Sequence, residues 1–139
     1  MTIILDELRK HFGSEFIAIV PVGSRITCDP APTNTDEDHL LLLRDNAAFS
    51  LMAEFGFKQE GLPHFYTGND NGGFRSWRRG DVNIITTQER SFFDKFLTAT
   101  ALAKRFNLLE KSDRISLFQA VLYGVRHENL ASYCPVGEA

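Results

Sequence analysis

Phe16-Ile17-Ala18-Ile19-Val20 runs into Pro21-Val22-Gly23-Ser24-Arg25, and further along Asp36-Glu37-Asp38-His39 runs directly into Leu40-Leu41-Leu42-Leu43. The first stretch is a continuous apolar run of strand length that stops at a proline, the pattern of a buried strand leaving a sheet into a loop. The second is an acidic edge on an all-leucine run, the pattern of a buried strand whose first residues emerge at the rim of the sheet. Residues 28 to 35, with two prolines among small polar residues, read as an extended surface loop between them.

Outward from this pair, Ile4, Leu5, Leu8 and Phe12 share one face at helical spacing before Gly13, which predicts an amphipathic helix over residues 3 to 12. Ala48, Leu51, Met52 and Phe55 repeat the spacing, with Asp45 or Asn46 as cap and Gly56 as stop, and predict a second helix. Residues 57 to 72 carry no decisive pattern, and the run from Gly68 to Gly73 is rich in turn formers. Strands are predicted over Phe74 to Arg78 and Val82 to Thr86, joined by a tight turn at Arg79-Gly80-Asp81. Thr86 and Glu89 have capping-box spacing, and Phe92, Phe96, Ala99, Ala103 and Phe106 then line one face of a long helix. After a break near Lys111-Ser112, Ile115, Phe118, Leu122 and Val125 form another, and the short connection favours antiparallel packing. From about Ser132 the chain reads as a loose tail.

The expected fold class is therefore α+β: a small mixed sheet with flanking helices, followed by an antiparallel C-terminal helix pair. At 139 residues the chain reads as one domain, with a core over about residues 3–86 and helices over about 89–127.

In an extended strand residues two apart point the same way, so Asp36 and Asp38 present both carboxylates on one face. Two acids at this spacing supply the protein's share of a magnesium or manganese site, whose remaining oxygens come from phosphates. The Gly23-Ser24 turn is complementary, since glycine lets backbone approach a phosphate and hydroxyl and amide groups donate to its oxygens. His39, on the alternate face of its strand, is expected to point away from the pair.

These motifs resemble the nucleotidyltransferase superfamily, in particular its minimal single-domain members, over roughly residues 3 to 86. Gly23-Ser24 matches the family's Gly-Ser motif and Asp36-Glu37-Asp38 its acid-x-acid motif. The resemblance implies two-metal, in-line transfer of a nucleoside monophosphate from a nucleoside triphosphate to a protein, RNA or small-molecule acceptor. It implies Asp36 and Asp38 as metal ligands, Gly23 and Ser24 as nucleotide contacts, and a third carboxylate on a neighbouring strand; Arg25, beside the Gly-Ser turn, reads by location as a further nucleotide-phosphate contact or as a simple surface arginine. At that third position, between Val82 and Ile84, stands Asn83, a neutral oxygen; it joins Asp36 and Asp38 in the catalytic set, while Asp81, two residues earlier, is a substitute metal ligand.

A second reading follows from Asn83: a degenerate member that binds nucleotide or protein without turnover. A third is a helix-rich adaptor with a solvated acidic edge. Arg75, Arg78 and Arg79 around Trp77 read either as a phosphate or RNA contact or as a solvated strand face with a half-buried tryptophan.

Composition narrows the setting. Apolar residues at 43% and charged residues at 24% are globular values and argue against disorder. A net charge of -3 gives no global pull toward nucleic acid or an anionic membrane. No stretch approaches the roughly 18 apolar residues that span a bilayer, and Met1 to Lys10 has no signal-peptide core, so a cytoplasmic location without membrane attachment is expected. Cys28 and Cys134 form no metal or redox motif and are expected as reduced thiols.

Overall fold

A computed structural model of the chain describes residues 5–33, 35–45, 49–60 and 74–124. Helix α1 (Leu5–Phe12) and a single 3-10 turn (Gly13–Glu15) lead into strand β1 (Phe16–Val22), which is followed by the one-turn helix α2 (Ser24–Thr27) and strand β2 (Glu37–Leu43). Helix α3 (Ser50–Glu54), the short strand β3 (Lys58–Glu60), and strands β4 (Phe74–Arg79) and β5 (Val82–Thr87) complete the sheet, and α4 (Arg90–Arg105) and α5 (Lys111–Tyr123) follow.

The sheet is mixed, in the order β1-β2-β5-β4-β3. β2 and β5 are parallel neighbours at its centre, and the other pairs are antiparallel. The leucine run lands on central β2, and all four leucines are at most 1% exposed. Alternation divides them: Leu41 and Leu43 join Leu8, Phe12, Met52, Trp77 and Ile84 on the face covered by α1 and α3. Leu40 and Leu42 join Phe93, Phe96, Ala99 and Phe118 on the face covered by α4 and α5. A strand buried on both faces needs apolar residues at every position, which is what residues 40 to 43 provide.

Several boundaries differ from the sequence reading, each for a physical reason. β1 is a half-buried edge strand that continues through Pro21 to Val22, and the edge position is what accommodates a residue without an amide proton. Thr86 caps nothing: it is fully buried in β5, and its hydroxyl accepts a hydrogen bond from Trp77 Nε1 at 2.9 Å. The turn before α4 is held by Thr87, whose hydroxyl accepts the Glu89 amide at 3.0 Å. Trp77 is buried, not half-buried, because its indole N–H has this internal acceptor. Phe106 lies past the end of α4 and is exposed, whereas Phe93 takes the inward position. α3 begins after Phe49, which takes the N-cap position; of the expected cap and face residues, Asn46 and Ala48 lie outside the described residues, as do the turn-rich run to Gly73, Val125, Cys134 and the tail. Among the described residues no helix is long and apolar enough to cross a membrane, and Cys28 is a free, buried thiol.

Candidate functional site

The strand register sets the site. Val22 pairs with Asp38 across β1 and β2, Asp38 with Asn83 across β2 and β5, and Asn83 with Arg78 across β5 and β4. One cross-strand row on the α4/α5 face of the sheet therefore reads Val22, Asp38, Asn83, Arg78. The next row on the same face ends, through Ile85 and Ser76, at Glu60 on the edge strand. Above these rows opens a cleft of about 580 Å³, lined by Gly23, Ser24, Asp36, Asp38, Glu60, Arg78 and Asn83 on the sheet side and by Lys111, Arg114 and Phe118 from α5.

Of the residues expected from sequence, Gly23, Ser24, Asp36, Asp38 and Asn83 converge on this cleft; Arg25 and Asp81 are not among its lining residues. Arg25 instead fastens the loop that ends at Asp36: its Nη2 donates to the Thr35 carbonyl and its Nε to Thr35 Oγ1 at 3.3 Å. Asp81 is exposed in the β4–β5 turn, where its carbonyl accepts the Glu37 amide at 2.8 Å. Asn83 is buried with its amide nitrogen committed as donor, 3.1 Å from Ser76 Oγ, 3.2 Å from the Trp77 carbonyl and 3.4 Å from Glu60 Oε1.

Gly23 adopts φ 85° and ψ −176°, a conformation open essentially to glycine alone. A Cβ at this position would lie 2.9 Å from both Cβ and Cγ of Asp38. The close approach that demands glycine is thus to the site's own carboxylate, in addition to any ligand phosphate.

Period-two alternation splits the basic group of β4. Arg75 lies over the Phe49 ring and Arg79 over the rings of Phe55 and Phe57, both on the α1/α3 side. Arg78 faces the cleft, where Nη2 donates to Asp36 Oδ2 at 3.0 Å and Nε to Glu60 Oε2 at 2.8 Å. Both acids are more than a third exposed, at 45% and 38%, so each ion pair is worth only about 0–1 kcal/mol. His39 points to the opposite face, buried, with Nε2 3.7 Å from Glu37 Oε2, and burial lowers its pKa against the pull of Glu37.

Burial raises the pKa of Asp38 from 3.8 to about 6, with the neighbouring charge of Asp36 adding to the rise and Arg78 and Arg25 opposing it. Folding thus favours the protonated acid: the contribution is fully present below pH 3.8 and is lost as pH rises through about 6. Asp38→Asn removes this charge, so we expect the variant to match the wild type near pH 4 and to exceed it by on the order of 2 kcal/mol at pH 8, after discount for partial exposure. Denaturant unfolding of both proteins across that range checks the difference.

The same observation tests the fit to a divalent cation. Two carboxylates that line one cleft, one of them partly buried with its pKa raised, would supply the protein's share of a magnesium or manganese site completed by phosphate oxygens. Among the described residues no group of three or more His, Cys, Asp or Glu side chains is arranged to hold an ion unaided.

The architecture is α+β, a five-stranded mixed sheet with flanking helices and two C-terminal helices. The chain is similar to the crystal structure of the conserved protein GrpB from Enterococcus faecalis, with a TM-score of 0.55 at 14% sequence identity, over 93% of this chain and 89% of that one. The likeness is one of fold. No family model and no curated protein matches the sequence.

The sequence offers no signal that brings Glu60, Lys111 or Arg114 to the cleft, and it offers Arg78 only as one of three arginines around Trp77. Glu60 lies in a stretch without periodicity. Arg78, by contrast, was separable from Arg75 and Arg79 by strand alternation alone.

Proposed function

We propose that the cleft binds a nucleoside triphosphate together with a divalent cation, magnesium or manganese, held by Asp36 and Asp38, and that the chain is a nucleotidyltransferase-like binding module with little or no turnover. The observation that carries this reading is Asn83. It stands beside Asp38 in register, where a third carboxylate would complete a two-ion site, and offers a carboxamide whose nitrogen is spent on Ser76, Trp77 and Glu60. When bound, the cation would neutralise phosphate charge. Asp36 and Asp38 would orient it, Ser24 and the backbone beside Gly23 would meet phosphate oxygens, and Lys111 and Arg114 give the opposite wall positive charge. Arg114 is itself braced by the Leu108 and Leu109 carbonyls, both at 2.8 Å. A reducing, cytoplasmic setting accords with the free thiol of Cys28.

A second reading is a transferase that moves a nucleoside monophosphate to a protein, RNA or small molecule. It is favoured by Glu60, which brings a third carboxylate into the cleft from the edge strand.

Thermal unfolding and pyrophosphate release separate the two. Nucleoside triphosphate with magnesium, at a hundredfold excess over its dissociation constant, should stabilise the wild type by about 2.7 kcal/mol without pyrophosphate release. Release that is lost in Glu60→Gln would establish the transferase instead. Asn83→Asp should not create activity: it removes buried donors to Trp77 and Glu60 and sets a charge beside Glu60, at a cost of about 1–3 kcal/mol in stability.

A further inference from the structure

We infer that Arg78 is the resident cation of the acidic cleft: it holds Asp36 when no divalent ion is present, yields that carboxylate to the ion, and, retained by Glu60, serves the phosphate oxygens of the incoming polyphosphate. The inference rests on the metal and nucleotide reading above and extends it to two residues outside the Gly-Ser and Asp-x-Asp motifs.

The geometry carries it. The guanidinium spans two carboxylates from different strands, Nη2 on Asp36 Oδ2 at 3.0 Å and Nε on Glu60 Oε2 at 2.8 Å. A forked donor with fixed spacing can make both bonds at once, which a lysine ammonium, a point charge, does less well. The Asp36 bond engages a carboxylate that a cation held between Asp36 and Asp38 would share, so the two positive groups compete for its charge. The contest is unequal: the ion pair is partly exposed, and a divalent ion carries twice the charge and engages both acids.

Glu60 is fixed independently of Asp36. Its Oε1 accepts from the buried Asn83 amide at 3.4 Å, and its strand pairs with β4 through Ser76. Released from Asp36, Arg78 therefore keeps a tether. Among the described residues its Nη1 bonds to no protein group, so donors remain for a phosphate. The asparagine at position 83 then has a role of its own, as the positioning residue that holds Glu60 toward Arg78; an aspartate would repel it.

The test is calorimetric titration of the full chain with manganese alone, and with inorganic tripolyphosphate in the presence of manganese. Arg78→Met should bind manganese at least tenfold more tightly than the wild type and tripolyphosphate at least tenfold more weakly. Glu60→Gln, which leaves the guanidinium to Asp36 alone, should weaken both several-fold. Lys58→Met removes the same charge from the cross-strand neighbour of Arg78 and should change manganese affinity less than twofold. If Arg78→Met does not fold, Arg78→Lys replaces it, with manganese tightened several-fold. Wild-type manganese binding that neither Arg78 variant tightens overturns the inference and leaves the Asp36–Asp38 site standing. An equal gain in Lys58→Met reduces the effect to bulk charge and also overturns it. Absence of manganese binding in the wild type and in every variant removes both the inference and the metal reading.

Discussion

Alanine at position 23 is expected to destabilise the protein by about 3–5 kcal/mol, the sum of a backbone conformation that only glycine adopts cheaply and a steric collision. The collision is specific. The new methyl would press on Cβ and Cγ of Asp38, each 2.9 Å away, so the turn, the carboxylate or both must move. Because Asp38 is also a proposed metal ligand, loss of stability and loss of manganese binding should appear together in Gly23→Ala, with a fall in Tm of about 10 °C or more for a chain of this size. Differential scanning calorimetry and manganese titration below the reduced Tm check both. A variant with wild-type Tm and weakened nucleotide binding alone would show that the glycine serves only the ligand.

The second large effect concerns the acids themselves. Asp36→Asn and Asp38→Asn should each weaken manganese binding at least about a hundredfold, about 2.7 kcal/mol, since a neutral amide replaces one of only two charged ligands. Their stabilities should differ in opposite senses. Asp38→Asn gains at neutral pH because it removes a carboxylate that burial and Asp36 penalise. Asp36→Asn loses its ion pair with Arg78, a partly exposed contact, and should fall by less than about 1 kcal/mol. Metal binding should also decline as pH falls through about 6, where Asp38 takes up its proton. Electron paramagnetic resonance of free manganese across pH 5 to 8 reads this directly, and a pH-independent affinity would remove Asp38 from the ligand set.

The central fold was legible because its deciding residues are local. Leu40 to Leu43 read as a strand buried on both faces, with Asp36 and Asp38 ahead of them at the rim. The resemblance implied only that Asn83 lies on a neighbouring strand; the parallel pairing of β2 and β5, which sets Asn83 beside Asp38, is carried by no local pattern. What escaped the sequence depends on pairing between distant segments. β3 is three residues long, Lys58-Gln59-Glu60, too short for a period and too charged to look buried, because it is an edge strand. Only its register with β4 carries Glu60 into the cleft. Pro21 reads as a strand end because it lacks an amide proton, yet an edge strand leaves room for it. The expected cap at Thr86 failed for a tertiary reason: the hydroxyl is buried and serves Trp77.

In the proposed function the Asp36–Asp38 pair receives a nucleotide through a cation. Calorimetric titration of the wild type with ATP, in magnesium or manganese and again in chelator, tests this most directly. Saturable binding with a stoichiometry near one that needs the metal and disappears in Asp36→Asn is the predicted result. ATP binding of equal affinity in chelator, or binding that survives in both Asp36→Asn and Asp38→Asn, would contradict it.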